Sequence, residues 1–502
     1  MMESWTTLCG IAIAILLFYY YFTSTFNFWK SRGVRGPRPI PIFGNIKNVM
    51  LGKKFIGDYL TDVYNDYKDE PLIGIFAKRT PILIVNNPEF IKDILIKDFS
   101  TFCERGVLNI SKKNDPLTHN LLNLEYKNWK PLRKMLTPIF TSGKLKKMFP
   151  LILECADHLE QNVKEMVNQE KLVECRELTA KYTTDVIGIC AFGIDINALS
   201  DENSEFRKMG KAIVTPSWSN LLWYLTKQSA PWLYDILANV IPESEATKFF
   251  SHTALETINH RQMHNIIRHD FIDILIELKN RPDKFKDIEL TDSLLAAQAF
   301  LFFVTGFEGS STTMSFALYE LALNQKIQDK LHEEIDEEYT KHGSDLIYDN
   351  INKMTYLDKV YKETLRKYPP VTAHFRKSTS NYTFRGTNVN IPKGQEVWIP
   401  IYAIQQDPNI YPEPDVFNPE RFNEENTQTR QATSYLPFGD GPKSCIGVRF
   451  ADYQIKVGII KILRNYKVKT CEKTEIPINN PKAFFLAPKN EIYLKLTKID
   501  RD

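Results

Sequence analysis

A long uncharged stretch opens the chain. No charged residue occurs between Glu3 and Lys30, and residues 8–22 inside that gap are strongly apolar. With the few residues before them they are just long enough to cross a bilayer as a helix. A cleaved signal peptide is the alternative, but no positive charge precedes the apolar run and no small-x-small cleavage site follows it. We therefore predict an uncleaved transmembrane anchor in residues 1–29.

A basic, proline-rich segment follows the anchor. Residues 30–41 carry four cations and three prolines. Positive charge beside a membrane span favours the cytoplasmic side, and proline stiffens a linker. We predict that residues 30–41 connect the anchor to a cytoplasmic body formed by residues 42–502.

The body alternates between long helix-periodic stretches and shorter strand-like ones. Residues 71–87 have the pattern of a hairpin with a turn at residues 78–80. Residues 140–370 are mostly helix-periodic, whereas strand-like alternation begins at residue 378. A final helix over residues 446–464 precedes short terminal strands. The predicted fold class is therefore α+β, predominantly helical, with small sheets towards both ends.

One segment near the middle of the body is apolar almost throughout. Residues 293–319 carry a single charge, Glu308. A second membrane span is one interpretation, but the polar and small residues around Glu308 favour a helix buried inside the protein. Gly306 and Gly309 lie at its centre, where glycine weakens a helix by roughly 0.5–1 kcal/mol. We predict a buried central helix over residues 291–325 with a special site in its middle.

Composition excludes several classes of function. The net charge of +3 is mild, and no patch interleaves basic and aromatic residues, so a nucleic-acid partner is not expected. Seven widely spaced cysteines, an odd number, do not form a disulfide framework and indicate a reducing compartment. His260 and His264 have the spacing of a helical zinc pair, but the glutamate of a zinc protease is missing. A solvated helix face is the expectation there.

The cysteine with the most informative surroundings is Cys445, in FGDGPKSCIG. Two glycines and a proline before it predict a tight loop, and a helix begins after it. Backbone N–H groups of such a loop can point at the sulfur and lower its pKa. The sulfur then suits a metal held by one protein ligand, although a turn residue without a role is equally compatible with these residues.

The segment around Cys445 resembles the haem-binding loop of the cytochromes P450, Phe-x-x-Gly-x-Arg-x-Cys-x-Gly. Phe438, Gly441, Cys445 and Gly447 match it, and Lys443 stands where arginine is usual. Three further motifs of that family lie upstream, in the family's order: Trp129 and Arg133 in WKPLR, Glu363 and Arg366 in KETLR, and Arg421 in FNPERF. The chain is similar to microsomal P450s, and insect enzymes that attack xenobiotics look closest.

The resemblance implies a cytochrome P450 fold with haem b (iron protoporphyrin IX), whose iron takes the Cys445 thiolate as ligand. The implied cofactor-binding residues are Trp129, Arg133, Arg376, Phe438 and Lys443. Lysine lacks the bidentate fork of arginine, so a slightly looser haem is expected. A buried structural network is implied behind the haem: Glu363, Arg366 and Arg421.

The middle of the central helix departs from the family's pattern. Members usually have Ala/Gly-Gly-x-Asp/Glu-Thr, whereas this chain has TGFEG at residues 305–309. Glu308 matches the acid of a proton path, and a helix-bending ion pair with a base is its alternative role. Gly309 replaces a threonine that helps deliver protons to oxygen. Thr305 lies one turn earlier on the same face and is the expected substitute, Ser310 is rotated about 100° from it, and altered oxygen chemistry is the third interpretation.

The function implied is a haem-thiolate monooxygenase that oxidises a lipophilic small molecule, either a xenobiotic or an endogenous lipid or hormone. Electrons would come from NADPH through cytochrome P450 reductase, with cytochrome b5 as an optional second donor. Lys130, Arg133, Lys134, Lys443 and Arg449 would form a basic face for these partners. The location implied is the endoplasmic reticulum membrane, with the catalytic domain on the cytoplasmic side.

Two alternatives stay open because of Gly309. One is a haem-thiolate isomerase or dehydratase that acts on peroxides, and the other is a haem protein that binds lipophiles without turnover. By resemblance, the substrate pocket is lined by residues 101–123, 216–231, 305, 371–375 and 484–485.

Overall fold

A computed structural model of the chain describes residues 2–106, 116–214, 244–280, 290–343, 346–478 and 486–499, together with isolated positions between 226 and 237. In the N-terminal half, the α-helices of these residues are α1 (Met2–Thr23), α2 (Lys47–Met50), α3 (Ile56–Asp66), α4 (Pro88–Lys92), α5 (Tyr126–Leu136), α6 (Ser142–Asn168), α7 (Cys175–Ile187) and α8 (Glu205–Val214). Those that follow are α9 (Glu245–His264), α10 (Phe271–Lys279), α11 (Asp292–Leu323), α12 (Gln325–His342), α13 (Tyr348–Ile351), α14 (Thr355–Lys367), α15 (Ile401–Gln405), α16 (Glu424–Thr429) and α17 (Val448–Asn465).

Short strands form three sheets within these ranges. They are β1 (Leu72–Ala77), β2 (Thr80–Val85), β3 (Val173–Glu174), β4 (His374–Lys377), β5 (Tyr382–Thr383), β6 (Asn390–Ile391), β7 (Glu396–Ile399), β8 (Tyr466–Thr470) and β9 (Tyr493–Lys498). The largest sheet has the order β1-β2-β7-β4, so the N-terminal hairpin pairs with strands from the C-terminal third of the chain. The predicted hairpin, the terminal strands and the predominantly helical α+β class are confirmed.

Helix α11 is the central element of the fold. Thr291 caps it by accepting the N–H of Leu294, and most of its side chains are buried. Its 32 residues give a length of about 48 Å. It packs most extensively on α7, and also on α9 and α17. The predicted buried central helix is therefore confirmed, and its apolar character reflects the protein core.

Helix α7 lies tightly against the middle of α11. The hydroxyl groups of Thr183 and Thr179 donate to the carbonyls of Phe307 and Ser311, at 3.1 and 3.0 Å. At Gly306 a Cβ atom would lie 2.5 Å from the end of the Ile187 side chain. The glycine at this position therefore permits the two helices to approach closely. This contact fixes the position of residues 305–309 in the middle of α11.

Helix α1 contrasts with α11. Both are long and apolar enough to cross a membrane, but the apolar span of α1 is entirely exposed in the structure, whereas 61% of the span in α11 is buried. An exposed apolar helix of this length near the N-terminus is consistent with membrane association.

Candidate active site

A large apolar cavity lies between helix α11 and the loop that precedes α17. Its volume is about 390 Å³. The sequence-predicted site residues that line it are Trp129, Arg133, Thr305, Glu308, Phe438, Lys443 and Cys445. Residues from three distant parts of the sequence thus meet around one space.

A tight turn holds Cys445 at the wall of this cavity. The backbone N–H of Cys445 donates to the carbonyl of Phe438 at 2.8 Å, so the loop folds back on itself. Gly441 has a φ of +70°, and a Cβ atom there would lie 2.0 Å from the carbonyl oxygen of Leu95. Both observations require glycine. The sequence FGDGPKSC therefore folds into a rigid loop that presents one thiol to the cavity.

The electrostatics of Cys445 differ in one respect from the sequence-based expectation. The N–H of Gly447 and the charges of Arg133 and Arg105 favour the thiolate. Burial has the larger and opposite effect, so the pKa of Cys445 is raised. The prediction of a lowered pKa is therefore wrong for the free thiol. A bound metal ion deprotonates a coordinating thiol outright and would supply what the loop alone does not.

Four cations gather beside the cavity: Arg105, Arg133, Arg376 and Lys443. Burial lowers the pKa of Arg376 to about 9 and that of Arg105 to about 10. Burial, followed by the charge of Arg105, lowers the pKa of Lys443 to about 7. Burial likewise lowers the pKa of Arg133. The four cations are therefore poorly solvated, and the charge of Arg105 further disfavours the charged forms of Arg376 and Lys443.

Several nitrogen atoms of this cluster have no hydrogen-bond partner within the part of the chain that the structure describes. They are Nε of Arg105, Nε of Arg376 and Nζ of Lys443, and all three are buried. Burying such donors without a hydrogen bond is costly. The cluster therefore fits an anionic ligand, and the two propionates of haem b, with its flat apolar ring against the apolar walls, match this requirement.

Lys443 is held in a specific position. Its ammonium group lies 4.8 Å from the ring centroid of Trp129 in α5, within the range of a cation–π contact. The side chain is only 3% exposed. Lys443 therefore belongs to the interior beside the cavity, and its predicted place on an exposed basic face is wrong.

Arg105 is the cation that the sequence analysis missed. It lies in the segment TFCERG, which matches no motif named above. Its guanidinium donates to the carbonyl of Lys443 at 3.2 Å, which brings it to the cavity wall. Arg376, by contrast, was predicted, and it lies fully buried behind that wall, where it donates to the carbonyl of Phe375 at 2.8 Å.

On the opposite wall, α11 presents a hydroxyl group beside an open space. Thr305 faces the cavity, and its hydroxyl donates to the carbonyl of Leu301 at 2.8 Å. Its oxygen lone pairs remain able to accept a hydrogen bond. A Cβ atom at Gly309 would meet nothing within 4 Å among the described residues. A side chain at position 309 would therefore meet no obstacle at its Cβ atom, and the glycine leaves open space there.

Glu308 has a base as its neighbour. Its Oε1 atom accepts from the guanidinium of Arg176 in α7 at 2.6 Å, and the same guanidinium donates to the hydroxyl of Ser311 at 2.8 Å. Oε2 of Glu308 is buried and is not hydrogen-bonded by any described residue. The two roles predicted for Glu308 are therefore compatible: one oxygen is fixed in an ion pair, and the other is free to accept a hydrogen bond from a water or a ligand.

A second cluster of charges lies away from the cavity, between α14 and the segment after α15. Arg366 donates to both carboxylate oxygens of Glu363, at 2.8 and 2.9 Å, and both side chains are completely buried. Nε of Arg421 lies 3.3 Å from the same carboxylate, while its other nitrogens donate to backbone carbonyls, including that of Pro412 at 2.5 Å. The structure thus brings the three predicted residues together in one buried ion-pair network.

The predicted substrate-pocket segments are only partly described. Val371, Ala373, His374 and Phe375 line the cavity, as does Leu121 from the segment 101–123. Residues 484–485 and most of residues 216–231 lie outside the described residues. The described lining is dominated by aliphatic and aromatic side chains, among them Phe140 and Phe302, whose ring centroids are 5.4 Å apart.

Comparison with known proteins agrees with this geometry. The sequence model of the family "Cytochrome P450" matches residues 34–496, nearly the entire chain. Among curated proteins, the chain is 39% identical to "Probable cytochrome P450 6a14" of Drosophila melanogaster, over 98% of this chain and 99% of that protein.

Other insect proteins are similarly related. The chain is 39% identical to "Cytochrome P450 6A1" of Musca domestica, covering 98% of each protein. It is 38% identical to "Cytochrome P450 6j1" of Blattella germanica, over 98% of this chain and 97% of that protein. Matches of this extent include the anchor-like N-terminus as well as the body. This chain belongs to the cytochrome P450 family of haem b monooxygenases.

Proposed function

We propose that this P450 oxidises a lipophilic small molecule with O₂ and two electrons from NADPH, delivered by cytochrome P450 reductase. The observation that carries the proposal is the position of Cys445 across one apolar cavity from Thr305 and Glu308. When bound between them, haem supplies oxygen activation, favoured by electron donation from a cysteine thiolate.

Cys445 is the proposed iron ligand. Its loop is fixed by the bond to the Phe438 carbonyl, and the N–H of Gly447 favours the thiolate. Hydrogen bonds to a ligating sulfur also tune the redox potential of the metal. The proposed partners of the propionates are Arg105, Arg133, Trp129, Arg376 and Lys443, with Phe438 packing beside the ring.

Thr305 and Glu308 are the proposed proton-handling groups. Oε2 of Glu308 is buried and free to accept a hydrogen bond from a water on the proposed proton route, while Arg176 fixes the other carboxylate oxygen. The Thr305 hydroxyl, together with a water in the space at Gly309, would extend the route into the cavity. Arg176 acts here as a positioning residue, because arginine stays protonated and cannot relay protons itself.

The proposed substrate is apolar, because most of the cavity wall is aliphatic or aromatic. Phe140, Phe302 and Phe271 form a connected aromatic surface, with Phe271 and Phe302 only 4.0 Å apart between ring centroids. Such a surface suits a molecule with a flat or bulky apolar body. A xenobiotic and an endogenous lipid or hormone both satisfy this description.

The proposed electron donors dock beside the Cys445 loop. Lys130 and Lys134 of α5 and Arg449 of α17 are exposed. Arg449 also contacts Ser142 at 3.3 Å, which ties the start of α6 to the same surface. These three cations suit an acidic partner, either the reductase or cytochrome b5.

The proposed location is the endoplasmic reticulum membrane, with residues 1–29 as the anchor, residues 30–41 as the connection and residues 42–502 as a cytoplasmic haem domain. The entirely exposed apolar span of α1 supports membrane attachment. The cations after it support the cytoplasmic side.

Reconstitution with reductase tests the proposed function. We expect a lipophilic substrate to be oxygenated only when NADPH and reductase are both present. Carbon monoxide added to the reduced protein should give the red-shifted Soret band of a thiolate ligand. Cys445→Ala should abolish both signals, whereas Cys471→Ala, a change at another free cysteine, should preserve them. If Cys445→Ala retained both signals, the assignment of Cys445 as the iron ligand would be refuted.

A second candidate function follows from the open space at Gly309. An enzyme that rearranges an existing peroxide has no need of a threonine that helps deliver protons to oxygen. A fatty-acid hydroperoxide offered without NADPH or reductase distinguishes this activity. Fast conversion there, with no reductase-dependent product from any lipophile, would replace the first proposal. Haem binding with neither activity would indicate a protein that only binds lipophiles.

A further inference from the structure

The outer face of α9 carries a row of side chains of the kinds that bind metal ions. His252, Glu256, His260 and His264 follow one another at intervals of four residues, and all four are exposed. Residues at this spacing are neighbours on the surface of a helix. The sequence predicted only a solvated helix face at His260 and His264, and the structure shows how the two rings are arranged.

The imidazole rings of His260 and His264 lie close together. Their centroids are 4.4 Å apart, with an angle of 34° between the ring planes. Two nitrogen ligands of one metal ion lie about 3–3.5 Å from each other, because each nitrogen–metal bond is about 2.0–2.1 Å long. The observed ring separation is therefore compatible with both rings binding the same ion.

A backbone contact determines which nitrogen of His264 is available to a ligand. Nδ1 of His264 lies 2.9 Å from the carbonyl oxygen of His260. Because a carbonyl oxygen only accepts, Nδ1 carries the proton, and Nε2 of the neutral ring keeps its lone pair. Metal-binding histidines usually donate their other N–H to such an acceptor. His264 thus has the tautomer that a metal ion requires.

The surroundings of the pair favour a cation. His264 is the last residue of α9, and the carbonyl groups at the end of a helix carry partial negative charge. Arg261 lies between the two histidines in sequence but faces the interior, where it is 3% exposed and pairs with Asp270 at 2.5 Å. Glu256, one turn before His260, adds an exposed carboxylate to the outer face.

The pair supplies two ligands and leaves the remaining coordination positions to water. Within the described ranges, no group of three histidine, cysteine, aspartate or glutamate side chains is placed to hold one ion. Imidazole ligands suit the later ions of the first transition series, with an affinity that rises from Ni²⁺ to Cu²⁺ and falls again at Zn²⁺. Mg²⁺ and Ca²⁺ prefer oxygen ligands and do not fit this pair.

We propose that His260 and His264 form a surface site that chelates a divalent transition-metal ion, with Cu²⁺ bound most tightly. The site is separate from the haem cavity, since none of the described cavity-lining residues belongs to α9. An ion held there links two successive turns at the end of α9, a helix that packs on α11. Because the ion binds only the folded turn, it stabilises that turn by mass action.

Calorimetric titration with Ni²⁺ tests the site in the full chain. Imidazole binds Ni²⁺ well, whereas softer ions also bind thiolates. The haem-loaded protein, purified in detergent without a histidine tag, is compared with His260→Ala and His264→Ala. We expect each variant to bind about 100-fold more weakly, because the second imidazole of a chelate acts at high effective concentration. His252→Ala, at a side chain 79% exposed on the same helix, is the control and should bind like the unaltered protein.

Three results would overturn the proposal. Unchanged affinity in both His260→Ala and His264→Ala would place the ion elsewhere, for example on the free cysteines. A loss in only one of these variants would mean that a single imidazole binds the ion. An equal loss in His252→Ala would show that the histidines of this face do not act as a specific pair.

Hydrogen exchange gives an independent readout of the same site. With Ni²⁺ at ten times its dissociation constant, amide exchange in residues 261–265 should be about tenfold slower. Residues 245–250, at the start of α9, should not change, and His264→Ala should show no slowing at either end. Binding of Ni²⁺ without slower exchange at residues 261–265 would contradict the proposed link between the two turns.

Discussion

At the scale of single residues, the loop that carries Cys445 follows the family's pattern, whereas the positions of Lys443 and Arg105 beside it could not be predicted. The loop around Cys445 was predictable because its glycines and proline restrict the backbone whatever surrounds it. The roles of Lys443 and Arg105 were not, because they depend on which distant residues the fold brings together. Lys443 was expected on the surface, and the structure buries it beside Trp129.

Arg176 is a further residue whose contact could not be predicted from the sequence. The sequence allowed an ion pair for Glu308 but gave no means of identifying the base, which lies 132 positions earlier in the chain. Only the packing of α7 against α11 joins the two residues. The open space at Gly309 is likewise a property of the folded cavity, although the missing threonine was visible in the sequence.

Replacing Lys443 by arginine should tighten haem binding. A guanidinium can form two parallel bonds to a propionate, whereas an ammonium acts as a point charge. We expect Lys443→Arg to slow haem loss on heating, because one additional charge-assisted hydrogen bond stabilises the bound state by about 1.5–3 kcal/mol. Absorbance of protein-bound haem during a thermal ramp measures this. Arg449→Lys, an exchange at an exposed site, is the control, and an equal effect of the two changes would contradict the account.

At the scale of elements, the long periodic segments were the most predictable. The hairpin of β1 and β2 and helix α11 follow the predicted patterns, and Thr291 caps α11. The parallel pairing of β2 with β7 was not predictable, since the two strands lie more than 300 positions apart and nothing local specifies the partner.

The buried network between α14 and Arg421 should be a major stabilising element. Removing one member leaves a buried charge without its partner, which costs about 3–5 kcal/mol. We therefore expect Glu363→Gln to lower the free energy of unfolding by that amount in denaturant titrations. Glu420→Gln, one residue before Arg421, breaks an exposed pair with Lys330 and Lys359.

That control should cost no more than about 1 kcal/mol, because exposed ion pairs contribute little. Equal losses for the two variants would show that the buried network has no special role. A loss of activity without a loss of stability in Glu363→Gln would instead suggest a direct part in the chemistry.

At the scale of the whole molecule, the proposed membrane attachment and the proposed partner surface belong to different elements. Helix α1 contacts the β1–β2 hairpin, where the guanidinium of Arg79 lies 3.7 Å from the ring centroid of Tyr21. The exposed cations Lys130, Lys134 and Arg449 belong to α5 and α17. A cytoplasmic reductase attached to the same membrane could then reach the basic surface while α1 holds the haem domain in place.

The basic surface should control the association with reductase. Lys134→Glu should raise the apparent KM for reductase, most strongly at low ionic strength, because screening weakens charge attraction. Lys171→Glu makes the same change in net charge just beyond the far end of α6, whose 27 residues extend about 40 Å. It should leave that KM unchanged. Equal effects would mean that net charge alone, and not this surface, governs docking.

The central claim is that this P450 inserts oxygen although glycine occupies position 309. The most direct measurement is hydrogen peroxide released per NADPH consumed, with reductase and a lipophilic substrate, compared among the unaltered protein, Thr305→Ala, Ser310→Ala and Gly309→Thr. We expect a low ratio with oxygenated product in the unaltered protein and in Ser310→Ala, and a ratio about tenfold higher in Thr305→Ala, since positioned proton transfer contributes at least that much. A high ratio in the unaltered protein that Gly309→Thr lowers, or equal effects of Thr305→Ala and Ser310→Ala, would contradict the account.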